Sequence, residues 1–201
     1  MTASVNSTPT IKQPAAVSAI WADTLALGFS MASEPLTGNL LRSMAASKPG
    51  ARFLELGTGT GLSTAWLLDG MNANASLISM DNDAKALAVA RQHLGADTRL
   101  QLVCAEGDDF VHSLYGQRFD FIFADTWAGK YRLLDETLAL LSPGGVYVVD
   151  DMLPQPNWPE GHDTKAAHLK TYLAQREDFM VCPLDWASGI ILASKISKIW
   201  L

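Results

Sequence analysis

A short apolar run followed by a glycine-rich turn stands at residues 52–66 and reads "RFLELGTGTGLSTAW". Glycine exposes the main chain and costs chain entropy, so the glycines at 57, 59 and 61 indicate that something approaches the backbone there. That neighbour is a phosphate, a nucleoside or a packed helix. The order strand, turn, helix predicts the first βα unit of an open sheet, in which ligands bind beyond the carboxyl ends of the strands.

The same alternation of predicted strands and helices continues along the chain. The predicted strands are "RFLEL", "SLISM", "LQLVC", "FDFIFA" and "GVYVVD", separated by amphipathic stretches such as "AKALAVARQHLGA" and "KYRLLDETLALLSPGG". This alternation indicates a parallel sheet covered on both faces. The last of these stretches is predicted to be a helix that ends at "SPGG", because glycine and proline are typical of a helix end. Near the end, "FMVCPL" and "GIILASKI" are joined by a link so short that they should pair antiparallel. We therefore expect an α/β, Rossmann-like, mostly parallel seven-stranded sheet with an antiparallel C-terminal hairpin.

Length and composition restrict the class of protein. The 201 residues predict one domain, with residues 1–14 mobile and two helices over residues 15–48. A net charge of −6 without a basic stretch argues against a nucleic-acid partner. No apolar run approaches the roughly 18 residues of a membrane span, and no secretory signal is recognisable, so we expect a cytoplasmic protein. Cys104 and Cys182 lie in apolar runs and are predicted to be buried free thiols.

The residues around the glycine turn bear on the ligand. A dinucleotide fingerprint has the spacing G-x-G-x-x-G, and here the third glycine comes one residue early. Asp81, at the end of the second strand, could accept hydrogen bonds from the ribose of NAD or of S-adenosylmethionine (SAM). Glu55 would repel a phosphate, but it suits a cationic ligand or a network that orders the loop. SAM carries a sulfonium and an amino group and no phosphate, so these residues favour it.

Acidic residues follow two further strands. Asp125 ends the fourth strand, and Asp150 and Asp151 end the fifth. Neighbouring parallel strands lie about 4.8 Å apart, so these carboxylates should converge and would need a cation or a raised pKa to coexist. Oxygen-rich clusters suit Mg²⁺, Ca²⁺ or Mn²⁺. Because successive strand residues point to opposite faces, the alternative is that only one of Asp150 and Asp151 faces the site.

Taken together, these segments resemble the successive motifs of class I SAM-dependent methyltransferases. The motifs are "FLELGTGTGLSTAWLL", "ISMDND", "AEGDDF" and "FDFIFADTWAGKYRLLDETLALLSPGGVYVVDDML", and "PLDWASGIILASK" resembles the family's last hairpin. The resemblance covers about residues 31–195 and is nearest to the group of catechol and caffeoyl-CoA O-methyltransferases. It implies O-methylation of a small-molecule acceptor, with SAM as methyl donor and a divalent cation such as Mg²⁺, and it is compatible with a homodimer.

The resemblance also implies a set of cofactor-binding residues. The loop around the methionine moiety would be formed by Glu55, Gly57, Thr58, Gly59 and Ser63. Asp81 and Asn82 would bind the ribose, and Gly107 and Asp108 would flank the adenine. Trp127 would be an aromatic residue beside the cofactor and the substrate. Two of these have a plain alternative. Asp108 could be an acidic residue at a solvated helix N-terminus, and Trp127 could be a core tryptophan.

The candidate metal-binding and catalytic residues depart from the family's pattern at two positions. The resemblance implies that Asp125, Asp150 and Asp151 hold the metal, with Asp151 replacing the family's asparagine. The added charge could tighten the metal, change which metal binds or mark a site that no longer uses one. The family's candidate base, a lysine three residues after the first aspartate, is replaced by Ala128. Lys130 is then a candidate base, the alternative being a solvent-facing lysine at a helix start. A metal bound by Asp125 would itself lower the pKa of the acceptor hydroxyl.

A proline-rich loop follows the acidic pair. It reads "LPQPNWPEGHD" over residues 153–163, and we interpret it as a wall or lid of the acceptor pocket, with Trp158 and His162 facing inward. His162 is then a second candidate base; the alternative is a plain surface connection. Two other functions stay open. One is a cofactor-binding protein that lost catalysis, which Ala128 favours, and the other is an NAD-dependent oxidoreductase.

Overall fold

The computed structural model describes residues 11–156 and 158–197. The predicted mobility of residues 1–14 therefore falls largely on residues outside the described part. The strands of the described residues are β1 (Arg52–Leu56), β2 (Ser76–Asp81), β3 (Leu100–Cys104), β4 (Phe119–Ala124), β5 (Leu141–Val149), β6 (Phe179–Leu184) and β7 (Ile190–Lys195). The helices are α1 (Val17–Leu27), α2 (Pro35–Ala46), α3 (Leu62–Gly70), α4 (Ala84–Leu94), α5 (Gly107–Ser113), α6 (Leu134–Ala139) and α7 (His162–Ala174).

The strands form one sheet in the order β3-β2-β1-β4-β5-β7-β6. The pairs from β3 to β5 are parallel, whereas β7 runs antiparallel to both β5 and β6. This confirms the predicted Rossmann-like, mostly parallel sheet with a C-terminal hairpin. The order reverses between β1 and β4, and that reversal leaves a crevice at the carboxyl ends of the strands.

Local sequence signals set several helix ends. Pro35 occupies the first turn of α2, where its missing N–H costs nothing. The Asp83 side chain caps α4 by accepting from the amides of Lys85 and Ala86 at 2.8 and 3.2 Å. Gly28 ends α1 in the left-handed conformation, with φ of 72°. Among the residues described, no helix combines the length and apolarity needed to cross a membrane.

Alternating side chains of the central strands build a hydrophobic core on each face of the sheet. Phe53 of β1 and Phe121 of β4 pack on one face with ring centroids 5.4 Å apart. Leu54 and Ile122, their chain neighbours, are buried on the other face. Burying a side chain of this size stabilises the fold by roughly 1.5 to 3 kcal/mol. Strands apolar on both faces are what helices above and below a parallel sheet require.

The prediction for residues 130–145 was wrong in its detail. The amphipathic run does not form one long helix, because α6 covers only Leu134–Ala139 and β5 already begins at Leu141. Leu141 pairs with Phe119, and the pairing resumes only at Val146. The intervening "SPGG" therefore forms an excursion within β5 instead of a helix stop. Gly144 permits it with a φ of 77°.

The prediction of buried cysteines was also wrong. Cys104 and Cys182 are free thiols, as expected, but both are exposed. They lie on β3 and β6, which are the two edge strands of the sheet. An apolar run indicates burial on both faces only for a central strand, whereas an edge strand leaves part of its surface to solvent.

Close packing of α2 against α3 gives a test of the fold. A Cβ added at Gly70 would lie 2.1 Å from the carbonyl oxygen of Arg42, so Gly70→Ala must push the two helices apart. We expect a loss of about 3 kcal/mol in the free energy of unfolding, measured by urea denaturation. Gly28→Ala meets no atom within 4 Å and should cost only about 1 kcal/mol of backbone strain. Equal losses would contradict the packing argument.

Candidate active site

A cleft of about 570 Å³ opens at the carboxyl ends of the strands. Gly57, Asp81, Asp125 and Asp150, which end or follow β1, β2, β4 and β5, all line it. The segment before α2, including Phe29 to Glu34, and the loop after β5 close its sides. The cleft therefore lies where the order of the strands predicts a ligand site.

Each glycine of the turn has a close protein neighbour. A Cβ at Gly57, where φ is 103°, would lie 2.9 Å from the main-chain oxygen of Asp125. A Cβ at Gly59 would lie 3.2 Å from the Phe29 ring, and one at Gly61 would lie 2.9 Å from Ala90 of α4. Gly57 and Gly59 also line the cleft. The glycines thus serve packing and leave bare main chain at the cleft wall.

Glu55 lies behind the turn and outside the residues that line the cleft. Its Oε2 atom accepts from the hydroxyls of Thr64 and Ser79, both at 2.5 Å. Ser79 is in turn hydrogen-bonded to the Thr58 hydroxyl at 2.6 Å. Burial raises the pKa of Glu55 to about 7, although the surrounding hydroxyls oppose this rise. Of the two roles considered for Glu55, the geometry favours the network that orders the loop.

Asp81 ties the glycine turn to the start of α4. Its Oδ2 atom accepts from the amide of Gly59 at 2.7 Å, and its Oδ1 atom accepts from the amide of Asp83 at 2.9 Å. Each carboxylate oxygen has a further lone pair, so Asp81 can still accept hydrogen bonds from a ligand. Asp81 and Asn82 both line the cleft, as do Thr58 and Ser63 of the turn.

Gly107 and Asp108 lie outside the residues that line the cleft. The Asp108 carboxylate accepts from Nε of Arg132 at 2.8 and 3.0 Å on the surface. Gly107 backs onto Ala128, since a Cβ at Gly107 would lie 2.5 Å from the Ala128 side chain. Ala128, at the position where the family carries its lysine, is buried and lies outside the residues that line the cleft.

The three carboxylates at the ends of β4 and β5 converge on the cleft as expected. The Oδ2 atom of Asp125 accepts from the Ser33 hydroxyl at 3.1 Å. The Oδ1 atom of Asp150 accepts from the Ser188 hydroxyl at 2.5 Å and from the amide of Asp151 at 2.8 Å. Burial raises the pKa of Asp150 to about 6, and burial with the neighbouring carboxylates raises that of Asp125 well above its usual value.

Their arrangement does not form a recognisable metal site. Across residues 11–156 and 158–197, no group of three or more His, Cys, Asp or Glu side chains is placed to hold a metal ion. Asp151 itself adopts a left-handed backbone with φ of 57°. Both Asp150 and Asp151 line the cleft, so the alternative in which only one of them faces the site is not what the structure shows.

Lys130 is buried, with 3% of its surface exposed, and it lines the cleft. Its Nζ atom donates to the main-chain oxygen of Asp150 at 2.7 Å. The solvent-facing alternative is therefore wrong, because the residues after β4 form tight turns and not a helix. The amides of Lys130 and Tyr131 both donate to the Trp127 carbonyl. Burial lowers the pKa of Lys130, while Asp125, Asp151 and Asp150 raise it.

Aromatic side chains form the other wall of the cleft. Trp158 lies against His162 with ring centroids 4.4 Å apart, and Tyr131 meets His162 edge-on at 5.2 Å. Trp127, which is 41% exposed, packs edge-on against Tyr131 and is not a core residue. Gln155, Trp158, Pro159 and His162 line the cleft, so these described residues of the proline-rich loop form part of its wall.

His162 begins α7 and is buried. Its Nε2 atom is hydrogen-bonded to the Tyr131 hydroxyl at 3.0 Å. Its Nδ1 atom has no hydrogen-bond partner within the described part of the chain, and neither has the indole N–H of Trp158. Burial, and next the charge of Lys130, lower the pKa of His162 below its ordinary value of 6.5.

Two residues of the cleft, Ser33 and Ser188, and one beside it, Tyr131, were not found from the sequence. Ser33 and Ser188 donate hydrogen bonds to the carboxylates of Asp125 and Asp150 from distant parts of the chain. The Tyr131 hydroxyl is hydrogen-bonded to His162. Serines of this kind carry no local signal, because only the folded chain brings them to an acidic residue. Tyr131 could have been suspected as the neighbour of Lys130 in "GKY".

Comparison with known proteins agrees with this geometry. Residues 54–152 match the family model described as "Methyltransferase domain". A relative from Mycobacterium ulcerans (strain Agy99), named as an O-methyltransferase, is 31% identical over 169 residues, which cover 79% of this chain and 75% of the relative. Another so named, from Mycobacterium avium (strain 104), is 30% identical over 120 residues, and the chain spans only 54% of its length.

Solved structures share the fold. The O-methyltransferase from Bacillus cereus in complex with S-adenosylhomocysteine (SAH) matches with a TM-score of 0.81 at 19% identity, covering 93% of both chains. The O-methyltransferase TomG from Streptomyces achromogenes, in complex with SAM, matches with a TM-score of 0.79 at 22% identity, covering 94% of this chain and 93% of TomG. These structures show that the chain has the fold of these methyltransferases, and the relative from Mycobacterium ulcerans shows that it belongs to a family of O-methyltransferases.

Proposed function

We propose that this protein transfers the methyl group of SAM to a hydroxyl of a small-molecule acceptor. The observation that carries the proposal is a single cleft with two unlike halves. One half is the glycine turn with Asp81, and the other is the aromatic wall with Lys130 and the three carboxylates. A nucleoside donor and a hydroxylated acceptor can meet between them.

The first half suits the cofactor. The main chain at Gly57 and Gly59, with Thr58 and Ser63, would receive the methionine moiety, while Asp81 and Asn82 would accept from the ribose. The acidic lining suits the positive sulfonium and amino groups of SAM. Asp108 would bind the adenine only after exchanging its Arg132 partner. When bound, SAM supplies an activated methyl carbon.

The second half suits an acceptor with a flat ring. Trp127 and Trp158 offer apolar ring surface to such an acceptor. Orienting the acceptor oxygen against the methyl carbon would supply much of the rate. Asp125, held by Ser33, would position the acceptor hydroxyl at the boundary between the halves.

His162 is the proposed general base. A base must be neutral to accept a proton, and the lowered pKa of His162 keeps it neutral at pH 7. If its Nε2–H donates to the Tyr131 oxygen, its unpaired Nδ1, which is buried in this structure, would take the acceptor proton once the bound acceptor has displaced the side chains that cover it. Lys130 would stabilise the negative charge that develops on that oxygen.

Calorimetry with SAM and with NAD tests the cofactor. We expect SAM to bind and NAD to show no heat of binding, and the reverse result would contradict the proposal. A screen of catechols, phenylpropanoids and other hydroxylated acceptors, read out as SAH release, tests methyl transfer. SAM binding without transfer to any acceptor would favour the cofactor-binding protein that lost catalysis. The buried place of Lys130 in the cleft removes part of the support that Ala128 gave to that alternative.

We also propose that the protein is a single domain and cytoplasmic. We propose that it has no nucleic-acid partner, because its net charge is negative. A homodimer is proposed through the N-terminal helical region. There Trp21 and Leu25 of α1, and Met31 after it, are exposed large apolar side chains. Burying them against a second copy would remove apolar surface from water.

A further inference from the structure

Lys130 brings a cation to the place where the family resemblance implies a divalent metal ion. Its side chain is buried at the end of the cleft lined by Asp125, Asp150 and Asp151. It enters from the turn after β4 and reaches the end of β5, where Nζ bonds the main-chain oxygen of Asp150. Burial lowers the pKa of Lys130, whereas all three carboxylates oppose this lowering.

Two of the three carboxylates are partly taken up by protein donors. Asp150 accepts from Ser188 and from the amide of Asp151 through one oxygen, and Asp125 accepts from Ser33. The described residues contain no group of three ligands set for a metal ion. A divalent ion entering here would also lie close to a buried ammonium, which repels it. These residues do not fit the implied metal while Lys130 is in place.

The ammonium retains unused hydrogen-bonding capacity. An ammonium has three N–H donors, and within the described residues Lys130 makes one hydrogen bond, to Asp150. No ion pair shorter than 4.0 Å joins Nζ to a carboxylate of the described residues. Lys130 is thus available to donate to an oxygen brought in by an acceptor.

We propose that Lys130 is the built-in cation of this site and takes over the role of the divalent metal. In the proposed reaction, the acceptor O–H loses its proton to His162 while the new O–CH₃ bond forms. The C–S bond of the donor breaks, and its electron pair goes to sulfur. Lys130 donates to the acceptor oxygen throughout and holds its negative charge, so the reaction needs no metal. The proposal has a mechanistic part, which is the role of Lys130 in methyl transfer, and this part rests on the proposed function. Its other part, the charge substitution, is the replacement of the metal ion by the ammonium of Lys130, and it does not depend on the proposed function.

Mn²⁺ binding, followed by electron paramagnetic resonance, tests the charge substitution without any turnover. We expect the wild-type protein to bind Mn²⁺ no better than the control variant Lys48→Ala, whose lysine bonds Gly144 at the opposite end of the strands. Lys130→Ala removes the ammonium and opens space beside three carboxylates, so we expect it to gain at least a tenfold tighter Mn²⁺ site. A stoichiometric Mn²⁺ site in the wild type that Asp125→Asn removes would overturn the proposal, as would a folded Lys130→Ala variant that gains no site.

Activity tests the mechanistic part once an acceptor is found. We expect exhaustive chelation to leave the rate of the wild type unchanged within twofold. Lys130→Met, which keeps the length of the side chain, should lower kcat about 100-fold while the Kd for SAM changes less than threefold. Loss of activity on chelation, restored by Mg²⁺, would refute the proposal. If no acceptor is methylated at all, the proposed function fails, and the Mn²⁺ result still decides whether Lys130 replaces the metal.

Discussion

Replacing His162 by alanine is expected to lower kcat by about 10² to 10⁴, the usual contribution of a general base. The Kd for SAM should stay nearly unchanged, because His162 lies in the acceptor half of the cleft. Rapid-quench or steady-state measurement of SAH release would give kcat, and calorimetry would give the Kd. Equal losses in both would indicate a structural role for His162 instead.

The pH profile adds a readout that a structural role would not change. The pKa of His162 lies below 6.5, so the wild-type rate should be level near neutral pH and fall tenfold per unit below that pKa. Lys130, Asp151, Lys165 and Asp163 set the electrostatic surroundings of the ring. In His162→Ala the part of this acid limb that belongs to the imidazole should disappear, and only a limb from Asp125 and Asp150, whose pKa values are raised, should remain. His168→Ala, an exposed histidine of the same helix, is the matched control and should leave rate and profile unchanged.

Replacing Asp81 by alanine is expected to weaken SAM binding by about 2 to 3 kcal/mol, or roughly 30- to 150-fold. The substitution removes the proposed ribose acceptor and also the bond to the Gly59 amide, which holds the glycine turn. Titration calorimetry on the purified protein measures the change directly.

Asp81→Asn separates the two effects. An amide keeps one acceptor oxygen but replaces the other with a donor, so either the Gly59 or the Asp83 amide loses its partner. We expect an intermediate loss of about tenfold. Unchanged affinity in Asp81→Ala would show that the ribose binds elsewhere.

Most of the fold could be predicted because its strands are short and apolar on both sides. The runs "RFLEL", "LQLVC", "FDFIFA" and "FMVCPL" match β1, β3, β4 and β6 at both ends. Sequence patterning does not reveal which strands lie at the edges, and therefore the exposure of Cys104 and Cys182 was missed. Sequence patterning also does not reveal that "SPGG" interrupts β5, because glycine and proline occur at breaks in strands as well as at the ends of helices.

The cofactor side of the cleft could be predicted better than the acceptor side. Gly57 and Asp81 are placed by strand ends, whose positions follow from the pattern. The turn at Trp127 and Gly129 determines where the Lys130 side chain lies. A prediction that assumes a helix at this point places that side chain in solvent instead of in the cleft. Ser188 and Asp150 are 38 residues apart in the chain, and only the hairpin brings them into contact.

The hairpin of β6 and β7 completes the acceptor half of the cleft with residues that the ribosome makes last. Ser188 bonds Asp150, and the main chain of Ser188 and Gly189 accepts from the amides of Leu153 and Met152. Ribosomes add about 5 to 20 residues per second, and the N-terminal part folds first. Until residues 190–195 emerge, β5 is a bare edge strand exposed to misassociation, and the carboxylate of Asp150 lacks its serine. A nascent chain stalled before that point would hold a nearly complete donor site and no competent acceptor site.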